Sequence, residues 1–277
     1  MRIVVGKPFA AVAACGAVLL AVQGCTSGPS NPPARSPAHA GKPLPLNHAL
    51  TLAQIRGSHE TSMRANINVQ VTTVTKRGTT HSTTTGTVQA QRTPAPISDS
   101  NLVIVSAGHR VPMEEIETGS TIYLKLASLA GNTGKPWVAV NAAGAAPGLG
   151  TGTGVNPLSS QHFLSVSKNL HEVGTAVVNG VSTTEYDGSY PISALLAGLP
   201  AKAKRKLAAK IKGAGPAQLS VWLSSNGQLQ KLMTTEAIPP QTITTTIDIT
   251  AVNVPIHIAI PPASQVARIP ANALGGL

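Results

Sequence analysis

Residues 173–189 read VGTAVVNGVSTTEYDGS. Two runs rich in Val and Thr flank Asn179-Gly180. An Asn-Gly pair supplies the two positive-φ positions of a type I′ turn, whose twist suits paired antiparallel strands. The stretch predicts a hairpin of Val173–Val178 with Val181–Ser189. A second hairpin joins Ala217–Ser224 to Leu229–Glu236 across Asn226-Gly227. Outward from these, Ile67, Val69 and Val71 alternate with polar neighbours in Asn66–Lys76. The Thr-rich run His81–Gln91 pairs with it across Arg77-Gly78. Leu102–Val105, Val111–Ile116, Thr121–Leu126 and Lys135–Val140 follow. Thr242–Val252 alternates again through Ile243, Thr245, Ile247 and Ile249, and Val254–Ile260 reads as a short last strand. Period-two alternation with turn residues between runs gives an antiparallel sheet with one covered face.

Helices are expected at the start, supported by Leu50, Leu52, Ile55 and Met63, and over Leu158–Leu170, with Phe163, Val166 and Leu170 on one side. Pro191–Leu199 and Ala201–Lys212 are two helical pieces broken at Pro200. Few crossovers have the βαβ form, so the class is α+β.

Upstream of the sheet the chain changes character. Arg2 and Lys7 precede an apolar run from Phe9 to Val22, which ends in Ala21-Val22-Gln23-Gly24-Cys25. This is the layout of a secretory signal. The run is short for a hydrocarbon core of about 30 Å. Its last residues resemble a bacterial lipobox, in which the cysteine takes a diacylglyceryl group and becomes the first residue of the mature protein. Residues 1–24 are then the signal peptide, and 25–49 are a lipidated, disordered Pro/Ser/Gly-rich tether. Residues 50–265 form the domain and 266–277 a C-terminal tail. The expected location is the outer face of the cytoplasmic membrane, held through Cys25.

Of 277 residues, 21 are Lys or Arg and 10 are Asp or Glu. Loss of the signal removes Arg2 and Lys7 and leaves a charge of +9. A basic exported chain is drawn to anionic headgroups or anionic wall polymers. Export, and an aromatic content of only 3%, weigh against a nucleic-acid partner. Cys15 and Cys25 are the two cysteines, so the mature domain has none for a disulfide, thiol chemistry or a Cys-based zinc site.

Candidate catalytic groups are sparse. Histidines 39, 48, 59, 81, 109, 162, 171 and 257 include no HxH or HxxxH pair, and no metal or cofactor is expected. Glu114, Glu115 and Glu117 read as a solvated strand edge, since successive residues of a strand face opposite ways. Ser165-Val166-Ser167-Lys168 matches SxxK, yet SDN, KTG and GxSxG are missing. The glycines 148, 150, 152 and 154 of the loop Asn141–Pro157 do not make GxGxxG. These absences favour a binding scaffold over an enzyme. Lys202, Lys204, Arg205, Lys206, Lys210 and Lys212 crowd one helix whose apolar stripe is Leu207 and Ile211. Two readings fit them: a solvated face with cations near the helix C-terminus, or a patch that meets anionic headgroups.

Several segments together resemble one actinobacterial lipoprotein family. Thr121-Ile122-Tyr123-Leu124-Lys125 with Gly134-Lys135-Pro136-Trp137-Val138 resembles its paired Y-x-K and p-W strands. Val178–Tyr186 resembles its G-x-x-T-x-x-Y hairpin, and Val221–Leu229 its v-W-l-d-x-x-G-x-l hairpin. The family is LppX/LprAFG, similar in architecture to the LolA and LolB carriers. The resemblance implies a strongly curved antiparallel sheet, a half-open barrel, with helices on its concave side and room for acyl chains between. It implies an acyl lipid or lipoglycan ligand, an envelope transporter as partner, and no catalytic residues. The expected lining is Ile67, Val69, Ile122, Leu124, Phe163, Val166, Leu195, Leu196, Val221, Leu223 and Ile247, which in the competing reading close into a dry core. The function that follows is binding, and transfer, of lipids or lipoglycans. The alternative is a non-enzymatic module of the envelope that binds a protein or peptide on the same fold.

Overall fold

The computed structural model describes residues 45–119, 121–141, 161–197 and 201–270. Cys25, the tether up to residue 44 and most of the Gly/Thr loop, 142–160, lie outside the described residues. The chain runs through α1 (Leu46–His59), β1 (Ser62–Thr75), β2 (Gly78–Gln91), β3 (Ile97–Ser106), β4 (His109–Thr118) and β5 (Thr121–Lys125). It continues through α2 (Ala127–Thr133), β6 (Trp137–Asn141), α3 (Gln161–Val166), β7 (Lys168–Val178) and β8 (Val181–Tyr190). A 3-10 turn (Ile192–Leu196), α4 (Ala201–Lys210), β9 (Ala217–Ser224), β10 (Leu229–Ile238), β11 (Gln241–Val252) and β12 (Val266–Arg268) complete it.

All these strands join one curved, open sheet in the order β12-β6-β5-β4-β3-β2-β1-β11-β10-β9-β8-β7. Each consecutive hairpin is antiparallel, as is the long-range pairing of β1 with β11. The exception is β12, which runs parallel to β6. The class is thus α+β with a half-open barrel, as expected. The stretch 266–268, assigned to the tail by sequence, belongs to the sheet. Three residues are too few to show alternation.

The turns explain the hairpins. Asn179 and Gly180 have φ of 50° and 80°, as a type I′ turn requires. Ala107 and Gly108 adopt the same pair of signs, at 49° and 80°, between β3 and β4. Alanine carries no turn signal, so only its position marks it. Gly86 in β2 admits no side chain: a Cβ there would stand 2.0 Å from the Asn101 carbonyl oxygen of β3.

Other expectations shift at their edges. The first helix begins at Leu46, inside the segment read as tether, and Met63 belongs to β1. The helix buries Ala49, Ala53 and Gly57, while Ile55 is 51% exposed. Small residues let its backbone lie close to the sheet. The third helix spans only Gln161–Val166, and Lys168–Leu170 already belong to β7. Val254–Ile260 is not a strand. The strand β4 lies between β3 and β5, so the acidic patch is not at a sheet edge.

Strand register divides the sheet into two faces. The inner face carries Ile67, Val69, Val88, Leu219, Val221, Leu223, Leu232 and Ile247, each at most 3% exposed. Burying each such side chain contributes about 1.5–3 kcal/mol. Side chains of α1, α3, α4 and the 3-10 turn pack onto this floor and form the main apolar cluster with it. A smaller cluster, Leu124, Leu129, Val138 and Val140, lies under α2 at the β6 end.

Candidate functional site

The inner-face floor and its covering helices differ in closure. Val69, Val221, Leu223 and Ile247 are 0–1% exposed. Above them Phe163, Val166, Leu195 and Leu196 are only partly buried. Those four come from elements of six and five residues. Nine of the eleven expected lining residues fall in this cluster. Ile122 and Leu124 fall in the second. Sequence periodicity finds the shared face. It does not reveal the division, which follows from the strand order.

Between the clusters the inner face turns polar. Register sets Ser98 opposite Glu117 and Ser100 opposite Glu115. Both serines are buried. Burial pushes the Glu117 carboxyl above its ordinary range. Glu114 faces the other way and pairs with Lys125 at 2.8 Å.

A second polar group lies in the main cluster. Tyr190 of β8 is fully buried and its hydroxyl donates to Glu236 Oε1 of β10. The Phe163 ring stands 4.7 Å from the Tyr190 ring, tilted by 30°. Burial pushes the Glu236 carboxyl up, against the hydrogen bonds from Tyr190 and Thr234 that pull it down. Burial also raises the Tyr190 hydroxyl, and the Glu236 charge adds to that. No motif marks this pair, because the two residues are 46 positions apart.

The outer face carries two matched rows. Lys125 lies opposite Glu114 and stands 5.4 Å from the Trp137 ring centroid. Lys231 stands 4.9 Å from the Trp222 centroid and 3.8 Å from Asp248 Oδ1. Lys125 and Trp137 of the Y-x-K and p-W motifs are therefore a cross-strand cation–π pair, and Trp222 of the third motif makes another with Lys231, which lies beyond it. Of the basic residues at the fourth helix, Lys204, Arg205, Lys210 and Lys212 are exposed. The side chains of Lys202 and Lys206 lie outside the described residues. Leu207 and Ile211 turn toward the core.

Ser165 is exposed on α3 and Lys168 opens β7, so the SxxK residues sit on different elements. Among the described residues no three His, Cys, Asp or Glu gather as metal ligands. None of the described helices is long and apolar enough to cross a membrane.

A curved open sheet with short helices on its inner face is a half-barrel architecture. No family model matches the sequence, and no curated protein matches it. Solved structures do. The chain is similar to LprF from Mycobacterium bovis, with 14% identity, a TM-score of 0.50, and coverage of 78% of this chain and 98% of that one. It is also similar to the Mycobacterium tuberculosis lipoprotein LppX, with 16% identity, a TM-score of 0.44, and coverage of 78% and 100%. A LolA-superfamily protein from Nitrosomonas europaea aligns at 8% identity and a TM-score of 0.32, over 78% and 96%. The likeness to LprF establishes the fold as that of the lipoprotein family the motifs resemble.

Proposed function

We propose that the chain is a lipoprotein of the cell envelope, anchored through Cys25, that holds acyl chains of a lipid or lipoglycan between its sheet and its short helices. The observation that carries this reading is the unequal closure of the main cluster. The floor residues Val69, Val221, Leu223 and Ile247 are closed off from solvent, while Phe163, Val166, Leu195 and Leu196, from two short elements of the cover, are only partly buried. Short elements with few buried contacts open at low cost, and an acyl chain entering there replaces one apolar neighbour by another. Lipid transfer to a transporter is the activity such a cover would serve.

Mass spectrometry of solvent-extracted, gently purified protein tests the reading. Acyl lipid is expected to co-purify with wild type and to be lost from Leu196→Trp, with the thermal transition retained. A wild-type protein that yields no lipid, or instead captures a polypeptide, would sink the carrier reading in favour of a peptide-binding module. Anchoring has its own test: Cys25→Ser should leave the membrane fraction and lose its acyl groups.

The exposed cations Lys204, Arg205, Lys210 and Lys212 support orientation of the domain against an anionic surface. Each is worth about 1 kcal/mol near such a surface. Reversing Lys204, Arg205 and Lys210 to Glu should weaken binding to phosphatidylglycerol vesicles and leave phosphatidylcholine vesicles unaffected. Unchanged binding would assign these residues to solubility.

A further inference from the structure

The outer face carries a feature that the lipid reading does not use. Strands β1, β2 and β3 align six polar side chains in two cross-strand rows. Register sets Arg64 opposite Gln89 and Gln89 opposite Asp99. Two residues along, it sets Asn66 opposite Thr87 and Thr87 opposite Asn101. Neighbours across strands stand about 4.8 Å apart, and the rows about 6.8 Å apart along the strands. All six line a hollow of ≈ 300 Å³. Ala65 and Val88 also line it, with their side chains turned to the inner face, so they offer backbone. A bulge sits beside the hollow. The register of β1 against β11 slips between Arg64 and Ala65 and passes over Thr250, which forms part of the rim. Bulges bend a strand locally and recur beside sites.

The lining has a definite chemistry. Gln89 Nε2 donates to Asp99 Oδ2 at 3.0 Å, while Asp99 Oδ1 is buried and has no hydrogen-bond partner. Arg64 Nη2 donates to the Pro255 carbonyl at 3.2 Å. Asn66, Thr87 and Asn101 are exposed and present amides and a hydroxyl to solvent. An anion in the hollow would meet Asp99 and, one strand further, Glu114. A cation would meet Arg64 and the positive field of the whole chain. No side chain there offers an apolar surface of any size. A neutral polyol meets neither penalty, because hydroxyls donate and accept, as carboxamides do.

We infer that this outer-face hollow binds one or two sugar rings through hydroxyl hydrogen bonds to Asn66, Gln89, Thr87, Asn101 and Asp99. The sugar is either a free glycan or the headgroup of a glycolipid. The site is independent of the acyl-binding reading, since it lies on the opposite face.

NMR titration of the full chain in detergent decides it, followed on the side-chain NH₂ signals of Asn66, Gln89 and Asn101. The probes are lactose, cellobiose, a mannose disaccharide and octyl glucoside. At least one disaccharide is expected to shift these signals at millimolar concentration. Asp99→Ala should weaken it about tenfold, the loss expected for a hydrogen bond to a charged or buried group. Asn101→Ala, at an exposed position, serves as the variant that cannot be dismissed as unfolded. Equal binding of disaccharide and octyl glucoside points to a free glycan, and tighter octyl glucoside binding with the same signals shifted points to a glycolipid headgroup. The proposal is overturned if no disaccharide shifts these signals, if Asn101→Ala leaves the shifts intact, or if octyl glucoside alone binds and Leu196→Trp removes it. None of those results touches the solvent-extraction test.

Discussion

Leu219 and Gln218 are neighbours on β9, yet Leu219 is 1% exposed and Gln218 faces water. The same contrast runs along the sheet. On the inner face the side chains interlock under helices, and stability depends on their fit. On the outer face exposed polar side chains such as Asn66, Thr87, Asn101 and Gln218 stand between buried ones such as Ile116, Trp137 and Trp222. The curved sheet separates the two faces, so a change on one face should leave the other largely intact.

The largest effect expected from this contrast comes from one charge placed on either face. Leu219→Asp should cost about 4 kcal/mol or more, because it buries an unpaired carboxylate and opens a cavity. Gln218→Asp should stay within about 0.5 kcal/mol. Urea denaturation of both variants measures the difference. Comparable losses would show that the outer face is packed like the inner one.

A smaller effect tests the polar pair inside the apolar face. Burial raises the Glu236 carboxyl, so the folded state holds its proton more tightly than the unfolded chain. That contribution is complete below the unfolded value of about 4.3 and is lost as pH rises through the folded value. Wild type should therefore lose stability as pH rises above the unfolded value. Glu236→Gln keeps an acceptor for Tyr190 without a charge, and its stability should fall less over that range. Asp99 and Glu117 are raised in the same direction, so part of the slope should remain. Identical slopes in the two proteins would remove Glu236 as a source.

The smallest effects sharpen the comparison within the outer face. Lys125→Ala and Lys231→Ala should each cost about 1 kcal/mol or less. Their salt dependence should differ. Lys125 is 50% exposed and lies 2.8 Å from Glu114, so added salt should erase much of its contribution. Lys231 is 30% exposed, closer to its indole and 3.8 Å from its acid, so its contribution should persist. Chevron or melting data at low and high salt distinguish the two.

Much of this architecture is legible in the residues themselves. The Asn-Gly pairs mark two hairpins, although only Asn179-Gly180 makes the two-residue turn with both φ positive, while Asn226 keeps negative φ in the longer loop between Ser224 and Leu229; alternation fixes which side chains share a face. What is not legible depends on strand order. Glu114, Glu115 and Glu117 look like a charged edge until β5 and β6 are seen to cover β4. The first helix misleads because its large apolar residues suggest one stripe, while Ala49, Ala53 and Gly57 provide the contact. The outer-face hollow leaves no trace in one dimension. Asn66, Thr87 and Asn101 are ordinary outward positions on three strands, and only the register gathers them. The Tyr190–Glu236 pair is hidden for the same reason.

The two ends of the sheet carry a consequence for the protein at high concentration. A row of unpaired amides at a sheet border invites another chain to add itself. The terminal strand β12 offers only three residues for such growth. The opposite terminal strand, β7, is long and exposes Val173 and Val177 by 53% and 73%, which makes it the more dangerous border. Its register is broken twice, between Lys168 and His171 and between Glu172 and Gly174. Each break turns the backbone out of line, so an incoming strand finds only short stretches to zip onto. Those two irregularities protect the long border of the described sheet from such growth.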